Sequence, residues 1–531
     1  MPTLEWIGKD KVINHHQEVP FRVLERKYSF DESGQHEEDN GSENMIIRGD
    51  NLEALKALLP RYEGRVKCIY IDPPYNTGNE GWVYNDNVND PKIKKWLGEV
   101  VGKEGEDLTR HDKWLCMMYP RLKLLQKLLA DDGVIFISID ENEQSNLKLL
   151  CDEIFGISNY RTMISWQRKY SVSNNYKGIA TICEYILVYS KSDCFQNHLL
   201  PRSDDSKARY INPDNDSRGP WKTVDYLNQA TPAQRPNLCY DIINPYTGQV
   251  IKNKSKAWKY EKSTHNRHVA ENKIWWGIDG KNTVPALKLF LSEVRDGMTP
   301  HNWWPYNEVG HTQEATNELV TIFGEKSVFD YPKPTRLIER ILQIASDPNS
   351  IILDSFAGSG TTAHAVLNMN KADGGKRKFI LVEMMDYADS ITAERVKRVI
   401  GGYGEGKKAV EGTGGSFGFY ELGEPLLIGD CLNEAVGTEK IREYIWFTET
   451  KRPYAPPRGG NPYYLGQNNH TGYYFYYKPE RMTVLDYAFL STITEKTDGA
   501  VIYADRCAIS QDKLVEMEIM FKKIPRDISR L

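Results

Sequence analysis

The residues with the densest chemistry stand together at Asp72-Pro-Pro-Tyr75. Lys67 to Ile71 is a short apolar run rich in β-branched and aromatic residues, the pattern of a buried strand. That strand stops at Asp72, because Pro73 and Pro74 have no N–H to give a sheet ladder. Two consecutive prolines fix their own φ, and the first pushes Asp72 toward extended geometry, so carboxylate, prolyl carbonyls and tyrosine ring keep fixed relative positions. Rigid acceptors beside an aromatic plate suit a flat molecule that carries an amino group. The exocyclic amine of adenine is a poor nucleophile, since its lone pair is delocalised into the ring, and acceptors for both N–H bonds push the nitrogen toward a tetrahedral, reactive state. Asp72 and the Pro73 carbonyl are the two acceptors, Pro74 stiffens the corner, and Tyr75 stacks on the base. Stacking contributes about 1–3 kcal/mol and helps offset the cost of drawing a base out of a duplex. A strand closed by a Pro-Pro turn with an incidental tyrosine would have the same letters.

A second constellation runs from Ser350 to Thr362, Ser-Ile-Ile-Leu-Asp-Ser-Phe-Ala-Gly-Ser-Gly-Thr-Thr. It reads as a buried strand ending at Asp354, a glycine turn, and a helix through His364 and Leu367. Gly358 and Gly360 permit close backbone approach to a ligand, and Ala363 takes the third place of a Gly-x-Gly-x-x-Ala pattern. A further strand, Lys378 to Val382, leads to Glu383, near the position roughly 20 residues downstream where an acidic residue grips ribose hydroxyls in such folds. A nucleoside-bearing cofactor is the natural reading, and the glycine pattern alone serves NAD as well as S-adenosyl-L-methionine.

Together the two motifs resemble the amino-group DNA methyltransferases that use S-adenosyl-L-methionine. Asp72-Pro-Pro-Tyr75 matches their catalytic motif, and Asp354-Ser-Phe-Ala-Gly-Ser-Gly360 matches their cofactor loop. Catalytic box first, a long middle region next and cofactor loop last is the permuted order of the β class. The likeness extends to Ile46–Leu55, Trp114–Leu122 and Phe329–Pro334. In these stretches the chain is similar to modification (Mod) subunits of type III restriction-modification systems, over most of residues 1–400. The resemblance implies an α/β, Rossmann-like methyltransferase fold, circularly permuted, with an inserted target-recognition domain and an extra C-terminal domain. It implies transfer to adenine N6 in double-stranded DNA, a homodimer, a Res-type restriction or helicase partner, and no metal. The backbone from Phe356 and Ala357 through Gly358, Gly360 and Thr361 would hold the methionine end of the cofactor, with Asp354 supporting the loop. Glu383 would hold the ribose, Asp50 with Asn51 the cofactor adenine, and Lys333 the methionine carboxylate. A β-class cytosine-N4 enzyme usually has Ser where this chain has Asp72. A solitary adenine methyltransferase would show the same motifs. Intact Asp72, Tyr75, Gly358 and Glu383 argue against an inactive specificity subunit, and an NAD oxidoreductase leaves Asp-Pro-Pro-Tyr without a purpose.

The elements that must position these residues follow from the rest of the chain. Its 531 residues, 40% hydrophobic and 27% charged, suit two to four globular domains. No long apolar run or signal sequence appears, which predicts a cytoplasmic protein, and the resemblance implies a prokaryotic one. Eight cysteines without a Cys-x-x-Cys pair read as reduced thiols. The net charge of −5 confines any nucleic-acid surface to a local patch.

Residues 1–40 read as an N-terminal arm, with His15 and His16 on its surface and the polar run 31–40 as a linker. Residues 41–190 form the catalytic half. It holds a strand at 44–47, a helix through Leu55 and Leu59 that Asp50 or Asn51 could cap, a helix at 113–130, a strand at 133–139, a helix at 147–155 and a strand at 184–190. Strands alternating with helices predict a parallel sheet. The polar stretch 79–112, with Trp82, Tyr84, Lys92, Lys94 and Lys95, is placed to serve as a lid over the flipped base.

Residues 191–320 form the insert. Between 250 and 290 it carries Lys252, Lys254, Lys256, Lys259, Lys262, Arg267, Lys273, Lys281 and Lys288 against Glu261, Glu271 and Asp279, a local excess of six positive charges. Trp258, Tyr260, Trp275 and Trp276 are interleaved. Lys252 through Arg267 are the phosphate contacts this pattern predicts, with the aromatics reaching groove or bases; a solvated basic face is the alternative. Residues 321–403 complete the cofactor half, glycine-rich 404–418 is a linker, and 419–531 is a C-terminal domain of strand-like runs.

Overall fold

A computed structural model describes residues 3–77, 91–101, 109–172, 177–202, 204–252, 255–326 and 328–526. Its largest feature is a sheet of eleven strands: β1 (Arg22–Asp31), β2 (Gly34–His36), β3 (Met45–Arg48), β4 (Val66–Ile71), β5 (Leu129–Ile139), β6 (Tyr160–Gln167), β7 (Cys183–Ser190), β8 (Trp303–Trp304), β9 (Ile351–Asp354), β10 (Lys378–Glu383) and β11 (Ser416–Pro425). The order is β8-β6-β7-β5-β4-β9-β10-β3-β11-β1-β2. The six strands from β5 to β11 run parallel, and their cores are continuous apolar runs such as Cys-Ile-Tyr-Ile and Phe-Ile-Leu-Val, buried on both faces, as parallel sheets require. Antiparallel strands flank them, β7 and β6 on one side and β1 with β2 on the other.

Helices α1 (Asn51–Tyr62), α2 (Pro91–Val100), α3 (Arg110–Leu128), α4 (Gln144–Phe155), α5 (Thr312–Phe323), α6 (Thr335–Ala345), α7 (Thr361–Asp373) and α8 (Glu394–Gly401) cover the sheet. Their ends obey local chemistry. Thr109 and Asp112 make a reciprocal capping box that starts α3, and Asp50 caps α1 by accepting from the backbone of Leu52 and Glu53. From β4 the chain moves through α3 to β5 on one side. From β9 it moves through α7 to β10 on the other. β4 and β9 are neighbours, with Cys68 opposite Ile352 and Ile69 opposite Leu353. This is the point where strand order reverses, and in open α/β sheets ligands bind there, outside the carboxyl ends of the strands. The two sequence-distant halves thus form a single sheet, and the fold is a Rossmann-like α/β fold whose two halves come in the permuted order.

Several boundaries differ from the sequence reading. Residues 22–36 are the β1–β2 hairpin of the main sheet, so the N-terminal segment is not an arm with a linker. The proposed linker 404–418 includes Val410–Glu411, paired with Gly402–Tyr403, and the start of β11. Because β11 pairs with both β3 and β1, the C-terminal region begins beyond it. That region holds a helix at Thr438–Thr450 and a sheet of Tyr464–Asn468, Thr471–Phe475, Gly499–Ala504 and Ile519–Lys523. The compact insert spans 199–300, shorter than 191–320, because β8 and α5 belong to the main body. Of the expected lid, Pro91–Val100 is helical and Trp82 and Tyr84 lie outside the described residues.

The insert has its own core of Tyr226, Ile242, Trp258 and Trp276, under a three-stranded antiparallel sheet of Ile274–Trp275, Ala286–Phe290 and Trp221–Asp225. Leu200 and Met298 exchange backbone hydrogen bonds at 2.8 Å, which brings its two ends together.

Candidate active site

Asp72 follows the last residue of β4 and is buried. Its Oδ2 accepts from Lys333 Nζ at 2.6 Å. Lys333 enters from the Tyr331–Pro334 segment that leads into α6, and the same ammonium lies 5.0 Å from the centre of the Tyr75 ring and 3.8 Å from Glu184 Oε2. Lys333, which the resemblance assigns to the methionine carboxylate, has its ammonium on the Asp72 carboxylate, while its backbone oxygen accepts from Thr361 Oγ1 of the glycine turn at 3.3 Å. Tyr75 also differs from an open stacking plate. Its ring is buried, its hydroxyl donates to Glu184 Oε2 at 3.2 Å, and burial pushes its ionisation well above the ordinary tyrosine range.

Pro73 and Pro74 are buried with it. The Pro74 carbonyl accepts from Trp114 Nε1 at 2.6 Å, so a fully buried indole of α3 pins the corner. Asn76, in the left-handed region at φ 59°, donates to the backbone oxygen of Arg110 at 3.2 Å and to the fully buried carboxylate of Glu143, which also meets His111 Nδ1 at 2.7 Å. Left-handed backbone is uncommon away from glycine, and here the buried Glu143 carboxylate and the Arg110 carbonyl hold it.

Across the β4/β9 seam lies the glycine turn. Asp354 accepts from Phe356 N at 3.0 Å and Thr362 Oγ1 at 2.5 Å, tying the strand end to both sides of the loop. Burial pushes its carboxyl up to about 7. Ala357 N donates to Val382 O at 3.1 Å, and Gly358 N donates to Glu383 Oε2 at 2.8 Å. Gly358 and Gly360 have φ of 52° and 81°, and a Cβ on Gly360 would lie 3.0 Å from the Thr392 carbonyl. Thr392 itself donates to Gly358 O at 2.6 Å from a π-helical turn, Asp389–Ala393, a rare element that is frequent at functional sites.

Beneath the loop Arg395, fully buried, donates to Ser359 Oγ at 3.0 Å, Thr361 Oγ1 at 2.8 Å and Glu318 Oε2 at 3.0 Å. Burial, then the neighbouring Arg395, lowers the His364 pKa well below the ordinary range, leaving a neutral ring under the turn.

Asp50 does serve as the helix cap. Its Oδ2 also lies 3.6 Å from the buried Arg121, whose guanidinium donates to Asn51 Oδ1. Asp50 lines a cleft of about 710 Å³ with Gly49, Leu52, Trp96, Met384, Asp386 and Leu422 among its walls. That volume is in the range of small-molecule sites. The cleft lies at the carboxyl ends of β3 and β10, next to Glu383, and a Cβ on Gly49 would strike Leu422. The cleft therefore offers carboxylate acceptors, Asp50 and Asp386, beside the apolar walls of Leu52, Trp96, Met384 and Leu422.

In the insert, Lys252, Lys256, Lys259, Lys262 and Arg267 are exposed, while Lys254 lies outside the described residues. Two other members of the basic run are not available for phosphate. Lys273 pairs with Glu271 and Glu293 at 3.1 and 2.8 Å, and Lys288 is buried against Asp214 and Asp216. Trp258 and Trp276, expected to reach DNA, are the insert's core, because a small unit needs its large apolar side chains inside.

Sequence reasoning missed Glu184, Arg168, Glu143 and Arg395. The signal for Glu184 was present: an acidic residue inside the apolar strand Cys-Glu-Tyr-Ile-Leu-Val-Tyr-Ser asks for buried partners.

A glycine turn and an Asp-Pro-Pro-Tyr corner meeting at the switch point of a permuted sheet define the class of Rossmann-like methyltransferase folds. The model of the family described as "DNA methylase" matches residues 66–449, and the chain belongs to that family. It is 36% identical over 387 residues to the Mod subunit of the type III restriction-modification enzyme StyLTI of Salmonella typhimurium, covering 68% of this chain and 58% of that protein. It is 33% identical over 430 residues to the EcoP15I Mod subunit of Escherichia coli, covering 72% and 64%. With the type II methyltransferase M.KpnI of Klebsiella pneumoniae it shares 34% identity over 366 residues, covering 65% and 81%. The chain thus spans about six-tenths of the length of these two Mod subunits. Among the described residues no helix is long and apolar enough to cross a membrane.

Proposed function

We propose that this chain transfers a methyl group from S-adenosyl-L-methionine to N6 of an adenine drawn out of double-stranded DNA, as the modification subunit of a type III restriction-modification enzyme. The observation that carries the reading is the β4/β9 register, which sets the Asp72–Tyr75 corner beside the Asp354–Gly360 turn. Bound S-adenosyl-L-methionine would supply an electrophilic methyl on a cationic sulfur. Gly358, Gly360 and Thr361 would admit its amino-acid end, Glu383 its ribose and the Asp50 cleft its adenine. Asp72 and the Pro73 carbonyl accept the two N–H bonds of the target amine, and the Asp72 carboxylate stabilises the positive charge that grows on nitrogen as the bond forms. The Tyr75 ring would stack on the base in place of the Lys333 ammonium that lies 5.0 Å from its centre. Positioning supplies most of the rate. Asp72 in place of serine favours adenine over cytosine N4.

The likeness to two Mod subunits supports a restriction partner of the Res type, and the reading includes a homodimer working in the prokaryotic cytoplasm, where the DNA is. Incubation with unmethylated bacterial DNA and labelled S-adenosyl-L-methionine tests it: N6-methyladenine in the digested product is expected, and N4-methylcytosine or no label would refute it.

A further inference from the structure

Resting on that reading, we propose that Glu184 is a positioning residue for methyl transfer, a single buried carboxylate that sets both the acceptor Asp72 and the ring of Tyr75. Glu184 is the second residue of β7, its side chain is 6% exposed, and every other residue of that strand is neutral. An ionised group there persists only where donors and opposite charge meet it. Three do. Arg168 Nη1 donates to Oε1 at 2.7 Å, the Tyr75 hydroxyl donates to Oε2 at 3.2 Å, and Lys333 Nζ lies 3.8 Å from that same oxygen. Lys333 in turn donates to Asp72 Oδ2 at 2.6 Å.

The consequence is a shared frame. Lys333 stands between two carboxylates, so where its ammonium rests, and therefore which way Asp72 is turned, depends on Glu184. The same carboxylate holds the far end of the Tyr75 ring through its hydroxyl. One group therefore sets the acceptor for the amine and the plate for the base, which must agree in position for the nitrogen to meet the methyl in line. The competing account is that Glu184 only neutralises the Arg168 guanidinium.

Single-turnover methylation of unmethylated bacterial DNA, with cofactor affinity by calorimetry and melting temperature as fold control, separates the two. Glu184→Gln is expected to lower the rate constant at saturating DNA and cofactor by about 100-fold, with DNA KM and cofactor Kd unchanged. Tyr75→Phe should lower it by about tenfold, and the losses should fall short of multiplying in the double variant, because both substitutions act on the same hydroxyl–carboxylate contact. A wild-type rate in Glu184→Gln, multiplying losses in the double variant, or recovery of the rate in Glu184→Gln with Arg168→Met would overturn the inference while leaving the methyltransferase reading intact. If Glu184→Gln does not fold, Tyr75→Phe removes no charge and carries the test, a wild-type rate refuting the link. An inactive wild-type protein would refute both readings together.

Discussion

Asp72 meets two demands at once: it must accept from an incoming amine, and it already accepts from Lys333. Asp72→Ala is expected to abolish methyl transfer and leave S-adenosyl-L-methionine affinity unchanged by calorimetry, because in the proposed reading the carboxylate contacts the base and not the cofactor. Loss of cofactor binding in that variant would move Asp72 to the other subsite. Asp354 carries a pH prediction. Its carboxyl, ordinarily near 3.8, is pushed up to about 7 by burial, so between those values the folded chain keeps a proton the unfolded chain has lost. Its contribution to stability is full below about pH 4 and lost as pH rises through 7. Wild type should therefore lose melting temperature relative to Asp354→Asn, whose neutral amide does not titrate, as pH rises from 5 to 8. A difference that stays the same across that range would mean that the carboxyl titrates alike in both states.

At the scale of elements, each motif depends on a neighbour that presses it into shape. The Pro-Pro corner is held by the α3 indole on the Pro74 carbonyl, and Trp114→Phe leaves that buried acceptor unmet at a cost of about 1–3 kcal/mol. A chemical melt should show the loss, and an unchanged midpoint would show that water replaces the indole. The glycine turn is held by Glu383 and the Thr392 π-turn. Gly358→Val places a β-branched side chain in left-handed backbone, so cofactor binding should vanish while the circular dichroism spectrum persists. Retained affinity would show that the ligand approaches elsewhere.

For the whole molecule, the insert is the separable part. Its ends meet at the Leu200–Met298 bridge, so replacing residues 201–297 by a short Gly-Ser link should leave the eleven-stranded body folded and able to bind cofactor but unable to bind DNA. DNA affinity equal to wild type would place recognition outside the insert. Within it, replacing exposed Lys256, Lys259 and Lys262 by Gln should weaken binding at all sequences alike and reduce the slope of log K against log salt by about 0.9 for each phosphate no longer neutralised. An unchanged slope would mark that face as merely solvated.

Chain-local physics determined the strand at 66–71, the proline stop, the glycine turn and the helix starts, since these depend on φ restriction, apolar runs and caps a few residues long. The two motifs were legible as chemistry for the same reason. What only the tertiary structure decided is how distant segments use each other. The β4/β9 pairing joins residues 68 and 352, β11 enters the main sheet rather than a separate domain, and Trp258 and Trp276 fill a core rather than face DNA. The Lys333 ammonium meets Asp72, and Glu184 gathers Tyr75, Arg168 and Lys333 around it. The physical reason is range. A buried charge selects its partners by proximity in the folded state, where desolvation makes each unmatched group costly, and proximity across hundreds of residues leaves no mark on local spacing.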